Sequence, residues 1–118
     1  MKVGMIGSGM IANVFLNTFQ GKSDIEVKAI WCQEKHLDST KQLAEQFRVE
    51  MVDCDIDRFL ESDLYDTVYV ALINSLHYRF VKKALEAGKN VICEKPFTTT
   101  YAKTKELVDL AKEKGVLL

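Results

Sequence analysis

A glycine-rich turn near the start of the chain constrains its fold more than any other feature. The stretch Gly7-Ser8-Gly9-Met10-Ile11-Ala12 has the form G-x-G-x-x-A and joins the apolar residues 3–6 to a helical pattern that begins near Met10. In such a turn the first glycine permits a tight bend, the second lets the backbone approach a pyrophosphate, and the small Ala12 lets helix pack on strand. The helix N-terminus offers unpaired N–H groups to the phosphates. The pattern predicts a dinucleotide-binding loop, although glycines also end strands for purely structural reasons.

The composition fits one globular domain that binds a small molecule. The 118 residues include 16 Lys+Arg and 17 Asp+Glu, which gives a net charge of -1. Since no long block of one sign occurs, we expect no nucleic-acid partner and no membrane-surface partner. No apolar run has the length of a membrane span, and the N-terminus lacks a signal-type segment, so we expect a cytoplasmic location.

The three cysteines indicate reduced thiols. Cys32, Cys54 and Cys93 are an odd number at wide spacing, with no Cys-x-x-Cys pair and no histidine at metal-ligand spacing. We therefore expect no metal site. Cys93 lies within an apolar strand and is predicted to be a small core residue. Cys32 differs because it lies at the end of the second predicted strand, next to the expected cofactor.

Helix-period and strand-period segments alternate along the whole chain, which is typical of an α/β sheet. The near-continuous apolar strands indicate parallel strands covered on both faces. We predict a three-layer, doubly wound Rossmann sheet with strand order 3-2-1-4-5-6. The predicted strands are residues 2–6, 27–31, about 49–52, 67–72, 90–93 and 116–118.

The last predicted strand stops at Leu118 with no residue to carry it onward. A strand needs a sheet around it, so a truncated last strand suggests a cut chain. We expect residues 1–118 to form a dinucleotide-binding domain at the N-terminus of a longer protein, with the C-terminal substrate domain absent from this chain.

Apolar stripes and capping residues predict how the helices lie. One stripe comprises Thr40, Leu43, Ala44 and Phe47, and another comprises Tyr78, Val81, Ala84 and Leu85. Asn74 or Ser75 is predicted to cap the fourth helix at its start. Gly88 is predicted to end the fourth helix in the left-handed conformation, and Gly115 is predicted to end the last helix.

Polar residues follow several predicted strands, at the sheet edge where ligands bind in doubly wound folds. The second strand leads into Cys32-Gln33-Glu34-Lys35, where such folds usually place an acid that accepts from the adenosine ribose. Here that position is neutral, and Lys35 and His36 could offer positive charge to a 2′-phosphate. This favours NADP slightly over NAD, although the same residues could form an ordinary solvated loop.

Two further segments follow the fourth and fifth strands. Asn74 and His77 are predicted to face the cofactor or the substrate side, although His77 could equally be a hydrogen-bonded structural histidine. Lys95 ends an apolar strand between Glu94 and Pro96, the chain's single proline, which fixes the backbone direction. A cation there could hold an anionic or carbonyl oxygen, or help move a proton in alcohol-to-ketone chemistry. An ordinary strand-end ion pair is the structural alternative.

These residues resemble the N-terminal cofactor domain of the Gfo/Idh/MocA oxidoreductases. The likeness covers essentially the whole chain and is carried by the glycine loop, by residues 70–78 and 84–90, and above all by Cys93-Glu94-Lys95-Pro96. It implies an NAD(P)-dependent oxidoreductase, commonly a dehydrogenase of a sugar, polyol or related alcohol, that is usually a homo-oligomer. It also implies that Lys95 contacts the substrate or nicotinamide and that Glu94 lies near the nicotinamide ribose. Ile73 departs from the family, where proline is frequent, and the acid missing at Cys32 leaves NAD against NADP open.

The expected site follows from these features. Lys95 and, tentatively, His77 are the candidate catalytic residues, and we expect this chain alone to bind cofactor without turnover because the second domain is missing. The candidate cofactor-binding residues are Gly7, Ser8, Gly9, Met10, Ile11, Ala12, Cys32, Gln33, Lys35, Leu72, Ile73, Asn74, His77, Glu94 and Lys95.

Two other classes of protein share parts of this pattern. A receiver domain of two-component signalling has a similar length and a Lys-Pro pair after its fifth strand. It also needs an acidic pair after the first strand to hold Mg²⁺, where this chain has glycines. Asp53 and Asp55 are better explained as caps of a short helix that contains Phe59. A regulatory protein that binds dinucleotide without chemistry is the other alternative, since fold does not determine function.

Overall fold

The computed structural model describes residues 1–95 and 97–118, and it contains a parallel sheet with helices on both faces. Pro96, which is predicted to fix the backbone direction after the fifth strand, lies outside the described residues. The strands are β1 (Lys2–Ile6), β2 (Glu26–Trp31), β3 (Met51–Asp53), β4 (Thr67–Val70) and β5 (Asn90–Cys93). The helices are α1 (Met10–Phe19), α2 (Leu37–Phe47), α3 (Ile56–Leu60), α4 (His77–Glu86) and α5 (Tyr101–Lys114). Short 3₁₀ turns at Glu34–His36 and Asn74–Leu76 precede α2 and α4.

The strand order is β3-β2-β1-β4-β5 and every pair is parallel, which confirms the predicted order for five strands. The chain winds from β1 outward to β3, returns, and then winds the other way through β4 and β5. The winding direction therefore reverses between β1 and β4, where Ile6 is in register with Val70. Ligands of doubly wound sheets bind at this point, and the order differs from the 2-1-3-4-5 order of receiver-type sheets.

Three strands have bounds that differ from those predicted, and the first of them, β2, begins at Glu26 instead of residue 27. β3 begins at Met51 instead of about residue 49, because residue 49 still belongs to the turn that ends α2: its N–H donates to the carbonyl of Ala44 at 2.8 Å. β4 ends at Val70 instead of residue 72. The Ala71 N–H still donates to the Ile6 carbonyl at 2.9 Å, and the chain then leaves the sheet toward the second 3₁₀ turn.

The predicted sixth strand is rudimentary. Residues 116–118 run beside β5, and the Val91 N–H donates to the Leu117 carbonyl at 2.9 Å. The Leu117 N–H is accepted by the side-chain oxygen of Asn90, also at 2.9 Å. The segment thus occupies the edge position predicted for a truncated strand without forming a regular ladder.

Two apolar cores lie on opposite faces of the sheet. On one face, Leu16 of α1 and Ala44 of α2 pack with Val3 and Met5 of β1. On the other face, α3, α4 and α5 pack against strand residues that include Ile6. The predicted stripes are confirmed, since Thr40, Ala44, Val81, Ala84 and Leu85 are all buried. Among the described residues, no helix has both the length and the apolar character that crossing a bilayer requires.

The helix ends confirm one prediction and correct another. Gly88 and Gly115 adopt the left-handed conformation, with φ of 77° and 68°, where α4 and α5 end. The prediction that Asn74 or Ser75 caps α4 is wrong. Both residues lie inside the 3₁₀ turn, which is closed by a 3.0 Å bond from the Leu76 N–H to the Ile73 carbonyl, and α4 begins without a side-chain cap.

Candidate functional site

Gly7 makes the bend between β1 and α1. Its φ is +114°, and a Cβ placed there would lie 2.4 Å from the carbonyl oxygen of Ala71. Its own N–H donates to the Trp31 carbonyl at 2.9 Å, which extends the β1–β2 ladder. Both the conformation and the close approach of the neighbouring backbone require glycine. The predicted tight turn from β1 to α1 is therefore present, and it lies in space between the ends of β2 and β4.

Gly9 has a different environment, although it belongs to the same loop. Its backbone is extended, with φ −78° and ψ −159°, and a Cβ there would meet no atom within 4 Å. Gly9 is the N-cap of α1, and among the described residues no side chain caps that end and no acidic residue lies in its first turn. The first N–H groups of a helix have no partners within the helix, so this open space suits an anion.

A cleft of about 690 Å³ runs along the carboxyl ends of the strands, across the glycine loop. Gly7, Gly9, Cys32, Asn74 and Lys95 all line it, as do most of the other candidates. It extends from the residues after β2, past the start of α1, to the residues after β5. The remaining candidates along it are Ser8, Met10, Ile11, Gln33, Lys35, Leu72, Ile73 and Glu94.

The structure places two candidates outside the cleft lining. Ala12 is fully buried and packs in the core with Val3, Met5 and Leu16, which is the packing role expected of a small residue at this position. His77 is also fully buried, and its Nε2 lies 2.8 Å from the carbonyl oxygen of Leu72. The imidazole therefore stabilises the turn between β4 and α4, and His77 is not among the residues that line the cleft.

Some residues outside the predicted cofactor-binding set also line the cleft. Ser39 lies one helical turn beyond His36, so helical periodicity could indicate it. Trp31 precedes Cys32 at the end of β2, and the apolar run in which it lies predicts only a strand residue. The Trp31 indole N–H donates to the Cys54 carbonyl at 2.9 Å. The lining residues outside the predicted set are Trp31, His36, Ser39, Ala71 and Leu76.

A hydroxyl pair joins the glycine loop to α2. Thr40 is buried, and its Oγ1 lies 2.9 Å from the Ser8 hydroxyl and 2.7 Å from the carbonyl oxygen of His36, to which it donates. Gln33, Lys35, His36 and Ser39 are exposed beside this contact. The side chains of Lys35 and His36 and the hydroxyl of Ser39 are thus exposed to solvent at the β2 end of the cleft.

The cysteines are free thiols, as predicted. Cys32 is buried at the end of β2, with its Sγ 3.8 Å from that of Cys54. Burial is the main cause that raises the pKa of the Cys54 thiol to about 11, and burial likewise raises the pKa of Cys93 to about 11. Cys93 is half-buried and packs against the core, in agreement with its predicted role. No group of three or more possible metal ligands occurs in the part of the chain that the structure describes.

The β5 end of the cleft carries a carboxylate and an ammonium group. Glu94 is half-buried, and its N–H donates to the Val70 carbonyl at 3.2 Å. The Tyr69 hydroxyl donates to the Glu94 carboxylate. Lys95 is exposed, and within residues 1–95 and 97–118 no carboxylate lies at ion-pair distance from its ammonium group. The strand-end ion pair considered as an alternative is not observed there.

Comparison with known proteins identifies the family. The model of an oxidoreductase family with an NAD-binding Rossmann fold, GFO_IDH_MocA, matches residues 1–118. An uncharacterised oxidoreductase of Schizosaccharomyces pombe is 39% identical over 121 residues, which cover 100% of this chain and 32% of the relative. The dTDP-3,4-didehydro-2,6-dideoxy-alpha-D-glucose 3-reductase of Actinomadura kijaniata is 37% identical over 119 residues, which cover 100% of this chain and 35% of the relative.

A solved structure has the same fold. The 3-ketoreductase KijD10 from Actinomadura kijaniata, in complex with NADP and TDP-benzene, superposes with a TM-score of 0.90 at 37% identity. The match covers 100% of this chain and 36% of that one. This chain therefore spans about a third of the length of the relatives that it matches.

Proposed function

Because the chain belongs to the oxidoreductase family with an NAD-binding Rossmann fold, we propose that it is the cofactor half of an NAD(P)-dependent oxidoreductase. The parent enzyme would transfer hydride between nicotinamide and a sugar, polyol or related alcohol or ketone. The observation that carries the proposal is the open space at Gly9, at the uncapped start of α1, in the middle of a cleft that continues to both sides.

The residues present fit a dinucleotide along this cleft. The N–H groups at the start of α1 would hold the pyrophosphate, since a helix N-terminus favours negative charge. In a doubly wound fold the residues after β2 face the adenosine ribose, so the residues after β4 and β5 would face the nicotinamide half. The bound nicotinamide would supply the hydride chemistry.

Lys95 is the candidate catalytic residue. Its exposed ammonium group would lie at the nicotinamide end, where it could donate to a carbonyl or alkoxide oxygen and stabilise the charge that develops there. A protein that only binds dinucleotide has no need of a cation at this position. For His77 we propose a positioning role, because its contact with the Leu72 carbonyl shapes the turn that presents Asn74 to the cleft.

We propose NADP as the preferred cofactor. Gln33 is neutral where an acid would repel a 2′-phosphate, while Lys35, His36 and Ser39 line the same end of the cleft as possible donors. The similarity to a 3-ketoreductase in complex with NADP supports this choice, and the similarity to a sugar reductase supports a polyhydroxylated substrate. The substrate cleft and a homo-oligomer interface would belong to a domain beyond this chain. Without that domain, residues 1–118 would bind cofactor without turnover.

Replacing Lys35 with alanine tests the cofactor preference. We expect the Kd for NADPH to rise about tenfold, because a charge-assisted hydrogen bond is lost, while the Kd for NADH changes less than twofold. The matched control is Lys41→Ala, an exposed lysine of α2 that does not line the cleft. Equal losses for both cofactors, or a wild-type chain that prefers NADH, would contradict the assignment of the 2′-phosphate to this end.

A further inference from the structure

We propose that Tyr69 is a positioning residue that holds the Glu94 carboxylate in place to accept from a ribose hydroxyl on the nicotinamide side of the cofactor. This inference rests on the proposed function. It assigns a role to a tyrosine that does not itself line the cleft and that the sequence pattern predicts only as part of a strand.

The contacts of Tyr69 hold its hydroxyl group in one place. The side chain is only 7% exposed, and its ring lies against Phe15 of α1 with centroids 4.6 Å apart. Its hydroxyl donates to the Glu94 carboxylate, a contact that joins residues 25 positions apart in the sequence. Burial, followed by this hydrogen bond, raises the pKa of Tyr69, so the hydroxyl stays protonated as a donor at neutral pH.

Glu94 is therefore fixed at two points. Its backbone N–H is bound to the Val70 carbonyl at 3.2 Å, and its side chain accepts from Tyr69. A carboxylate offers about four acceptor sites on two oxygens, and the tyrosine occupies one of them. The remaining sites are available at the cleft, which Glu94 lines.

The sheet order decides which half of the cofactor Glu94 meets. Glu94 follows β5, whereas Gln33 and Lys35 follow β2, and the glycine loop lies between these two strands. Since the residues after β2 face the adenosine ribose, Glu94 faces the other half. A carboxylate that accepts from ribose hydroxyls is the same chemistry that dinucleotide folds use after β2, here placed at the opposite end.

Tyr69 could act only through the packing of its ring, or it could also position Glu94 through its hydroxyl. Removal of the hydroxyl alone distinguishes these two roles. Tyr69→Phe keeps the ring against Phe15 and removes the donor to Glu94. The affinities to compare are those for NADPH and for adenosine 2′,5′-bisphosphate, which lacks the nicotinamide half. We expect Tyr69→Phe to weaken NADPH binding about fivefold to tenfold and to leave bisphosphate binding within twofold.

A double-mutant cycle tests whether Tyr69 acts through Glu94. Glu94→Ala should weaken NADPH binding at least as much as Tyr69→Phe, and the double variant should be no weaker than Glu94→Ala alone, because one interaction is removed in both. The matched control is Tyr78→Phe. It removes another tyrosine–glutamate hydrogen bond, from the half-buried Tyr78 of α4 to the exposed Glu106 of α5 at 2.6 Å, and should leave both affinities unchanged.

Circular dichroism and urea unfolding of each variant would show that the compared proteins are folded. Unchanged NADPH affinity in Tyr69→Phe, equal losses for NADPH and the bisphosphate, or additive losses in the double variant would each overturn the role of Tyr69. A folded wild-type chain that binds neither of these ligands nor NADH would instead overturn the proposed function.

Discussion

Two glycines two positions apart have different physical reasons to be glycine. Gly7 has a positive φ and a neighbouring backbone oxygen where a side chain would begin, so its role is conformational. Gly9 has an ordinary backbone conformation and open space in front of it, so its role concerns what enters that space. Stability and binding should therefore respond to different glycines.

Alanine at each position should separate the two roles. We expect Gly7→Ala to lower the free energy of unfolding by about 2–3 kcal/mol, through φ strain and the clash with the Ala71 carbonyl. Gly9→Ala should cost less than about 1 kcal/mol, the usual range for a changed N-cap, and should weaken NADPH binding at least about tenfold. Urea unfolding and NADPH titration measure the two effects. Gly9→Ala with wild-type affinity would show that phosphates do not bind at this point.

At the scale of elements, the junction of β3 with α3 depends on a buried carboxylate. Asp53 is 6% exposed and accepts from the Arg58 Nε and Nη2 at 2.7 Å each, and from the Asp55 N–H at 2.9 Å. The Arg58 guanidinium is the main cause that lowers the pKa of Asp53 below its usual 3.8. Asp55 caps α3 by accepting from the N–H groups of Asp57 and Arg58, as predicted for that residue, whereas Asp53 pairs with arginine instead of capping.

This pair predicts a pH dependence of stability. Because the pKa of Asp53 is lower in the folded state, its stabilising effect is present above pH 3.8 and is lost as the pH falls through the folded-state pKa. Asp53→Asn should lower the unfolding free energy at pH 7 by about 1–2 kcal/mol, and its difference from wild type should shrink below about pH 4. Urea unfolding across pH 3–7 measures this. The control is Asp109→Asn in an exposed pair with Lys105, which should change stability much less. A constant difference between Asp53→Asn and wild type across that range would contradict the account.

For the molecule as a whole, the sheet could be predicted because the sequence patterns that indicate its strands and helices are local. Apolar runs, apolar stripes and terminal glycines each indicate an element from a few consecutive residues, and short right-handed crossovers then restrict the order of the strands. The position of the cleft follows from that order, since ligands bind where the winding reverses. This is why residues from three separate segments, such as Gly9, Lys35 and Lys95, could be assigned to one site.

What could not be predicted depends on contacts between distant residues. Asn74 is a good N-cap by residue type, but it lies inside the 3₁₀ turn that precedes α4 and not at the start of the helix. His77, which follows the same turn, is fully buried. The hydrogen bond from Tyr69 to Glu94 depends on which face of the sheet each side chain takes. Local patterns carry no information about such pairs.

A cofactor titration monitored by the fluorescence of Trp31 tests most directly whether this chain binds a nicotinamide dinucleotide. Trp31 is the chain's only tryptophan, and it lines the cleft. Reduced nicotinamide absorbs where tryptophan emits, so bound NADPH should quench this emission, and ligand at 100 times its Kd should add about 2.7 kcal/mol to the unfolding free energy. We predict saturable quenching by NADPH at submillimolar concentration, with weaker binding of NADH. A folded chain that shows neither quenching nor stabilisation with millimolar NADPH and NADH would contradict the account.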